Sequence, residues 1–411
     1  YIDKFESPLP EFKLKPISLE TFRKHFSKIK ASRSHGTDYI DSHSLKLAFP
    51  IIEKVLLHLV NLSLTSNCYA PGWKYQLVLP YFKKKDPLDG KNYRPVSHII
   101  EVGKIVERVV FEQTYEHFVS NDLFHPNHHG FIGNHSTDTA LIQLYNMWLE
   151  ASEQKELSAA LLLDLSAAFD ITDHSILLRK MAAYNFNPET IEWFRTYLTG
   201  RIQVVQIESK LSDPTQLGEY SVPQGSILGP LLFLIFNNDF PDSTEEGESV
   251  LFADDDTDVV SDSDPEALEE KIQREAVRST DWVEDNRMVC AGDKTKLLII
   301  GTRNLRNSKL SNKSVSVNVY DNNIDSSHSE QLLGLIVNEE LSWKDHLYGE
   351  KWRQEDNTPG LIPQLGQRVG LLYKLQYCLH VYGNVWGYKT LDENPRNFSS
   401  FTLQDLSLIH I

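Results

Sequence analysis

Three consecutive carboxylates, Asp254, Asp255 and Asp256, lie between apolar residues in LFADDDTDVV, residues 251–260. Neighbouring carboxylates repel one another, and burial beside a hydrophobic run makes that repulsion costly unless a cation balances it. Carboxylate oxygens suit Mg²⁺ and Mn²⁺, and the stretch lacks the His and Cys ligands that favour Zn²⁺. A further acid, Asp164, follows the apolar run SAALLL. Two ions about 3.5–4 Å apart would suit the displacement chemistry of phosphoryl transfer.

A hairpin is needed for these side chains to face one site. Adjacent residues of a straight strand point to opposite faces, so Asp254 and Asp255 can converge only at a bend. The apolar residues on either side predict two short strands around a tight turn, and a strand ending at Asp164 would have to lie beside them. Taken alone, the cluster also has an ordinary explanation, because Asp-rich turns are usually solvated and an Asp after a strand usually caps a helix.

The rest of the sequence predicts an α+β fold around these elements, since helical and strand-like patterns are interleaved along the chain. The predicted helices cover residues 41–64, 101–118, 172–184 and 264–286, with a buried helix starting after Gly225. The predicted strands cover residues 158–165, 202–209, 295–302 and the hairpin 249–262. A further strand within residues 75–85 is expected at a sheet edge, because Pro80 cannot donate a hydrogen bond.

Charge is distributed unevenly along the chain. The formal net charge of −16 at pH 7 would ordinarily argue against a nucleic-acid partner. Residues 239–293, however, contain nineteen acidic and four basic residues, whereas residues 73–108 contain eight basic and four acidic residues. A polyanion therefore has a local basic segment to bind despite the acidic total.

Cysteine content and apolar runs bear on the compartment. Cys68, Cys290 and Cys378 form no paired motif, which predicts a reduced, intracellular protein without a disulfide framework. The longest apolar run, residues 227–236, is too short to span a bilayer, so no membrane partner is expected. The chain begins with Tyr1 rather than Met, which indicates a piece of something longer.

Three motifs in a fixed order carry a family resemblance. They are LLLDLSAAFDITDHSIL, VPQGSILGPLLFLIF and LFADDDTDVV. With flanking stretches over roughly residues 30–346, they make the chain resemble the reverse transcriptases of non-LTR (LINE-type) retrotransposons. The resemblance implies a right-hand polymerase with fingers, palm and thumb. It also implies RNA-directed DNA polymerase activity on an RNA template, a DNA primer and dNTPs, in the nucleus and cytoplasm of a host cell.

The resemblance further implies roles for the residues around the carboxylates. Asp164, Asp254 and Asp255 match the catalytic aspartates of the family, which hold two Mg²⁺ ions, with Mn²⁺ as an alternative. Leu165 matches the residue whose backbone carbonyl is a further ligand. Phe169 matches a bulky ring that excludes a ribose 2′-hydroxyl, although an aromatic residue there is also an ordinary core residue.

Other residues match nucleotide-binding positions of the family. Gln224 and Gly225 match a turn that contacts the incoming nucleotide and the template base, where Gly lets the backbone approach closely and Gln offers a donor and an acceptor. Lys294 matches a candidate proton donor to the departing pyrophosphate. Three basic residues match the part of the fingers that binds the triphosphate: Lys83, Lys84 and Arg94. Taken singly, each of these charges is also an ordinary solvated surface residue.

The sequence departs from the family pattern at several places. Ile132 replaces an Arg, and Asp256 adds a carboxylate expected to increase repulsion at the metal site. The helical stretch after QRVGLLYKL is short, which predicts a damaged thumb and impaired processive synthesis. We therefore expect an N-terminal helical extension at residues 1–72 and fingers and palm at 73–301. Residues 302–411 are expected to hold the last palm strands, a truncated thumb-like region and a poorly ordered tail.

Two other functions stay open from the sequence. A copy with a damaged thumb could be a catalytically inactive remnant that still binds nucleic acid. A palm-type polymerase that copies a DNA template is also compatible with these residues. RNA binding and primer extension, measured on the same preparation, distinguish the first alternative from an active enzyme.

Overall fold

Two main β-sheets and the helices around them occupy the part of the chain that the computed structural model describes, residues 9–83, 86–165, 167–292, 294–310, 313–342 and 345–346. The helices are α1 Leu19–Ser27, α2 Ser42–Thr65, α3 Glu101–Ser120, α4 Thr137–Glu153, α5 Ala168–Ile171, α6 His174–Ala183, α7 Pro188–Leu198, α8 Gly229–Asn237, α9 Pro265–Asp285 and α10 Arg303–Leu310. The strands are β1 Tyr75–Phe82, β2 Tyr93–Ile99, β3 Leu157–Asp164, β4 Ile202–Ile207, β5 Lys210–Leu211, β6 Thr215–Gln216, β7 Glu248–Phe252, β8 Asp255–Asp262, β9 Lys296–Ile300, β10 Ser316–Val319, β11 Asn322–Ser327, β12 Ser329–Leu332 and β13 Leu335–Asn338. The predicted α+β class is confirmed.

The large sheet contains six strands in the order β10-β11-β9-β3-β8-β7. Strand β3 lies inside this sheet and is antiparallel to both β8 and β9. Successive residues of β3 are buried, from Leu157 to Leu161, so both faces of the sheet are covered there. The continuous apolar run in the sequence predicted this central position, which brings the end of β3 next to the β7–β8 hairpin.

The small sheet has the order β2-β1-β4-β5, with β6 paired to β4. The prediction that β1 is an edge strand is wrong, because β1 lies between β2 and β4. Two features let β1 carry a proline at this place. Pro80 lies opposite Pro95 of β2, and β4 pairs only with Tyr75–Val78, so the parallel ladder ends before Pro80.

Helix α2 begins close to its predicted start. The Asp41 side chain accepts a hydrogen bond from the Ser44 backbone N–H at 2.6 Å, as expected of an N-cap. The helix continues through Pro50 for 24 residues. By length and composition alone α2 could cross a membrane, which is weak evidence because core helices of other proteins pass the same test.

Helix α8 is buried, as predicted, but begins at Gly229 rather than directly after Gly225. The residues between them form a turn in which the Ser226 hydroxyl accepts from the Gly229 backbone N–H at 2.9 Å. Pro230 lies in the first helical turn, where its missing N–H is not needed. The start of α8 is therefore set by a turn that the apolar pattern did not reveal.

The described residues beyond Ile300 extend the large sheet. Strand β11 pairs in parallel with β9, and β10 pairs antiparallel with β11. Strands β12 and β13 form a separate hairpin. The predicted thumb-like region and tail lie outside the described residues from 347 onwards.

Candidate active site

Three carboxylates meet where β3 ends beside the β7–β8 hairpin. In the register of β3 and β8, Asp164 lies directly opposite Asp255. Phe252 pairs with Asp255 across the hairpin, so Ala253 and Asp254 form a two-residue turn. The predicted convergence of Asp164 with the turn is therefore confirmed by backbone pairing.

Burial and neighbouring charges together shift the pKa values of the two aspartates of the turn. Loss of hydration raises the pKa of Asp254, and the nearby charge of Asp164 raises it further. The same two effects, with the charge of Asp254 added, raise the pKa of Asp255 to about 6. Both side chains still reach solvent. The Lys294 ammonium supplies one positive charge by donating to Asp164 Oδ1 at 3.0 Å.

The donor set fits a hard divalent ion, because the three side chains offer only carboxylate oxygens. In the described part of the chain, however, no group of three or more His, Cys, Asp or Glu side chains is already arranged as an ion site. Leu165, the predicted backbone ligand, is buried and forms a β-bridge with Cys290. The structure thus brings the predicted ligands together without arranging them as a complete coordination shell.

Asp256 does not add repulsion at this site, so that prediction is wrong. Its side chain is buried, and its Oδ1 accepts a hydrogen bond from the Ser249 hydroxyl at 2.5 Å. Its strongest charged neighbour is Asp258, two residues along the same strand. Because side chains alternate across a strand, Asp256 and Asp258 face the interior while Asp255 faces the site.

Gly225 joins the small sheet to the predicted nucleotide-binding turn. Its φ is +107°, and a Cβ at this position would lie 2.5 Å from the Ser97 carbonyl oxygen of β2. The Ser97 backbone N–H donates to the Gln224 carbonyl at 2.7 Å. A side chain at residue 225 would therefore clash with β2, which explains on structural grounds why this position is a glycine.

Gln224 also contacts a residue that the sequence did not single out. Its Nε2 donates to Asp170 Oδ1 at 2.8 Å, next to Phe169 in α5. Burial raises the pKa of Asp170, whereas the hydrogen bond from Gln224 and the charge of Lys83 oppose that rise. The sequence did offer a signal for Asp170, because this acid directly follows Phe169, a predicted site residue.

The other predicted residues surround the same region. Phe169 is half-buried and stacks on Phe233 with ring centroids 4.7 Å apart, so it is supported by the core. Arg94 in β2 is close enough to lower the pKa of Asp254 against the effect of burial. Lys83 follows β1 and is exposed. Lys84 lies outside the described residues.

Glu107 of α3 supports the turn from inside the protein, and the sequence reasoning missed it. Its Oε2 accepts from the Ile227 backbone N–H at 2.7 Å and from Leu228 at 3.4 Å. Burial raises its pKa, and the buried Arg201 guanidinium opposes this rise. A glutamate on the buried side of an amphipathic helix was the signal, because an acid there needs a specific partner.

Comparisons with known proteins identify a matching family and several similar polymerases. The family model described as "Reverse transcriptase (RNA-dependent DNA polymerase)" matches residues 82–337. The chain is 27% identical over 350 residues to the RNA-directed DNA polymerase from mobile element jockey of Drosophila funebris, covering 81% of this chain and 36% of that protein. Its identity to the jockey polymerase of Drosophila melanogaster is 30% over 266 residues, covering 63% of this chain and 28% of that protein.

Two further similarities extend the comparison. The chain is 28% identical over 243 residues to the probable RNA-directed DNA polymerase from transposon BS of Drosophila melanogaster, covering 58% of this chain and 26% of that protein. A solved structure, apo telomerase from Candida tropicalis truncated from its C-terminal domain, has a TM-score of 0.44 at 12% identity over 75% of this chain and 62% of that chain. The chain thus spans 36% or less of the length of these polymerase relatives.

The matched family region includes both the end of β3 and the β7–β8 hairpin. The resemblance to non-LTR retrotransposon reverse transcriptases is confirmed. Enzymes of this family generally use divalent metal ions, an RNA template and nucleotide substrates. The chain, which the family model matches over more than half of its length, belongs to the reverse transcriptase (RNA-dependent DNA polymerase) family.

Proposed function

We propose that this chain is the RNA-directed DNA polymerase domain of a non-LTR retrotransposon, and that it joins a dNTP to the 3′-hydroxyl of a DNA primer on an RNA template. One observation carries the proposal. Asp164 lies directly opposite Asp255, and Asp254 is in the adjoining turn. Three mutually repelling carboxylates lie where the central strand β3 ends beside the hairpin. Such a group suits a reaction that brings cations and a polyphosphate together.

We further propose that Asp164, Asp254, Asp255 and the Leu165 carbonyl hold two Mg²⁺ ions, with Mn²⁺ as a substitute. When bound, such ions activate the primer hydroxyl and stabilise the negative charge on the leaving pyrophosphate. The backbone pairing that places Asp164 opposite Asp255, with Asp254 in the adjoining turn, supports this assignment. Lys294, which donates to Asp164 Oδ1, would give a proton to the pyrophosphate.

The remaining predicted residues are assigned to the substrate. Arg94 and the lysines of the β1–β2 connection, Lys83 and Lys84, would bind the triphosphate, for which guanidinium and ammonium donors are suited. Phe169 would exclude a ribose 2′-hydroxyl, and its stacking on Phe233 supports a fixed ring position. Gln224 and Gly225 would contact the incoming nucleotide and the template base.

Binding of the RNA template and DNA primer is assigned to the basic segment of residues 73–108, so affinity should fall steeply with salt. We place this activity inside the host cell, in nucleus and cytoplasm. The cysteines within the described residues support a reducing compartment, because Cys68 and Cys290 are both free thiols.

The test is extension of a primed RNA template by the purified protein with Mg²⁺ and dNTPs. Extension that is lost in Asp254→Asn supports the proposal, and extension that survives this change unaltered overturns the assigned mechanism. Salt-sensitive RNA binding without any incorporation would instead support the inactive, nucleic-acid-binding alternative. A parallel primed DNA template measures which template the enzyme prefers.

A further inference from the structure

The turn that carries Asp254 has an unfavourable backbone conformation. Ala253 has a φ of +61°, a region in which a residue with a Cβ is strained and glycine is favoured. A two-residue hairpin turn often requires this φ at its first position. Because Ala is a poor choice there, contacts from outside the hairpin must hold the turn in this conformation.

The main contact comes from α8. The Asn237 side-chain Nδ2 donates to the Ala253 carbonyl oxygen at 2.9 Å, and Asn237 is buried. The hydrogen bond fixes a backbone atom directly before Asp254. Asn237 lies outside the metal ligands and the nucleotide-binding residues proposed above, so those roles do not explain it.

His128 orients the Asn237 amide. Its Nε2 lies 3.2 Å from Asn237 Oδ1, and the imidazole is fully buried. The Ala253 carbonyl can only accept, so the Asn237 NH₂ must face it and the Asn237 oxygen must face His128. His128 therefore donates from Nε2 to Asn237. Burial lowers the pKa of His128 to about 3, which keeps the ring neutral, with only one proton to give.

The segment that carries His128 also lies along the hairpin backbone. The Leu251 N–H donates to the Asn127 carbonyl at 2.9 Å, and the His129 N–H donates to the Leu251 carbonyl at 2.8 Å. A Cβ on Gly130 would lie 2.3 Å from the Ala253 backbone nitrogen, so the backbone of Gly130 packs directly against the turn. This segment and α8 thus hold the turn from two directions.

We infer that His128 and Asn237 are positioning residues that set the geometry of the catalytic hairpin through the Ala253 carbonyl, and we call their two hydrogen bonds the His128–Asn237 relay. The inference deepens the proposed polymerase function and rests on it for its catalytic consequence. Both residues are buried and contact the hairpin through its backbone. Loss of the relay releases a strained turn, and displacement of a catalytic group by about 1 Å can cost on the order of 10²-fold in rate.

The chain offers a matched control in the next residue, Asn238. It is also buried, and it donates to the Leu123 carbonyl at 2.8 Å and to the Tyr184 hydroxyl at 2.6 Å, away from the hairpin. Asn237→Leu and Asn238→Leu each replace a buried amide with an apolar group of similar size that cannot donate. Both variants should lose stability, but only Asn237→Leu should disturb the turn.

The first measurement is hydrogen–deuterium exchange of the peptide that spans residues 248–258. We expect exchange about 10-fold faster in Asn237→Leu than in Asn238→Leu, compared at equal distance from their melting temperatures. In primer extension, kcat should fall about 10- to 100-fold in Asn237→Leu with KM for dNTP changed less than about threefold. Equal exchange in the two variants would overturn the inference.

A second pair of variants covers a failure of Asn237→Leu to fold. His128→Gln keeps an N–H donor for Asn237, whereas His128→Leu removes it. The glutamine should retain hairpin protection and turnover, and the leucine should lose both; identical behaviour of the two overturns the relay. The exchange measurements need no catalysis. A wild-type protein without primer extension would therefore contradict the proposed function, while the exchange rates by themselves would still support or overturn the relay.

Discussion

The two faces of strand β8 carry the same kind of residue in opposite circumstances. On one face Asp255 reaches solvent and lies opposite Asp164. On the other, Asp256 and Asp258 are buried, and each accepts from a serine hydroxyl, at 2.5 Å from Ser249 and 2.6 Å from Ser279 respectively. One oxygen of each buried carboxyl, Asp256 Oδ2 and Asp258 Oδ1, has no hydrogen-bond partner within the described residues.

The difference shows that access, rather than residue type, decides what a carboxylate does. Asp255 is exposed, so a cation from solvent can balance its repulsion with the neighbouring carboxylates, as the proposed metal site requires. At Asp258, burial raises the pKa to about 7 against the opposing effect of the Ser279 hydrogen bond. Burial also raises the pKa of Asp256, and the charge of Asp258 adds to the rise. The buried pair therefore costs stability, because its members must keep protons that an unfolded chain would release.

The largest expected difference between the faces is catalytic. Asp254→Asn should reduce primer extension by about 10³-fold or more, because it removes one of the three proposed metal ligands, which would act together. Asp256→Asn, two positions further along, should leave extension within about threefold of the wild type. Both are measured as kcat/KM on the same primed RNA template. A comparable loss of primer extension in Asp256→Asn would contradict the conclusion that the Asp256 side chain faces the interior and not the site.

The next effect concerns stability and pH. The pKa of Asp258 is about 7 in the folded protein and lies near its ordinary acidic value when unfolded. Between these values the folded state holds a proton that unfolding releases, so the free energy of unfolding should fall as pH rises from about 4 to about 7. Asp258→Asn should remove this loss and add about 2–4 kcal/mol at pH 8.

The measurement for Asp258→Asn is urea unfolding at pH 5 and pH 8, with the wild type alongside. The variant should gain more stability at pH 8 than at pH 5, and its primer extension should stay within about threefold of the wild type. A gain that is the same at both pH values would show that Asp258 is ionised when folded.

The smallest effect tests the hydrogen bonds of the buried face. Ser279→Ala removes the hydroxyl that donates to Asp258 Oδ2. The pKa of Asp258 should rise further, and the free energy of unfolding at pH 8 should fall by about 1 kcal/mol. Primer extension should not change, because Ser279 lies on α9 and faces the interior. Thermal melts of Ser279→Ala alone and combined with Asp258→Asn give the check: the combination should show no loss beyond the single Asn change.

Features that depend on a short stretch of chain were predicted well. The β7–β8 hairpin, the central strand β3 and helix α6 all follow from local patterns. Asp173 accepts from the Ser175 backbone N–H at 2.8 Å, for example, which needs no distant partner. The position of Asp164 beside the turn also followed, because an apolar strand buried on both faces must lie inside a sheet.

Features that depend on distant partners were predicted wrongly or missed. The edge position of β1 failed because the pairing with β4 stops before Pro80, which the sequence of β1 does not reveal. Asp256 was counted with the site because its side of the strand is set by the register with β7. Asn237 and Glu107 were missed because each binds the backbone of a segment far along the chain.

The sequence by itself determined the family, the order of helices and strands near the site, and which acids are available, because periodicity and motif order reside in contiguous residues. Only the tertiary structure decided which carboxylates share a site and which are buried at a cost in stability. Strand register assigns each side chain to a face, and buried residues such as Asn237 and Glu107 fix the backbone of the site. Such contacts join segments that the linear order leaves far apart, so their effect appears only when the chain is folded.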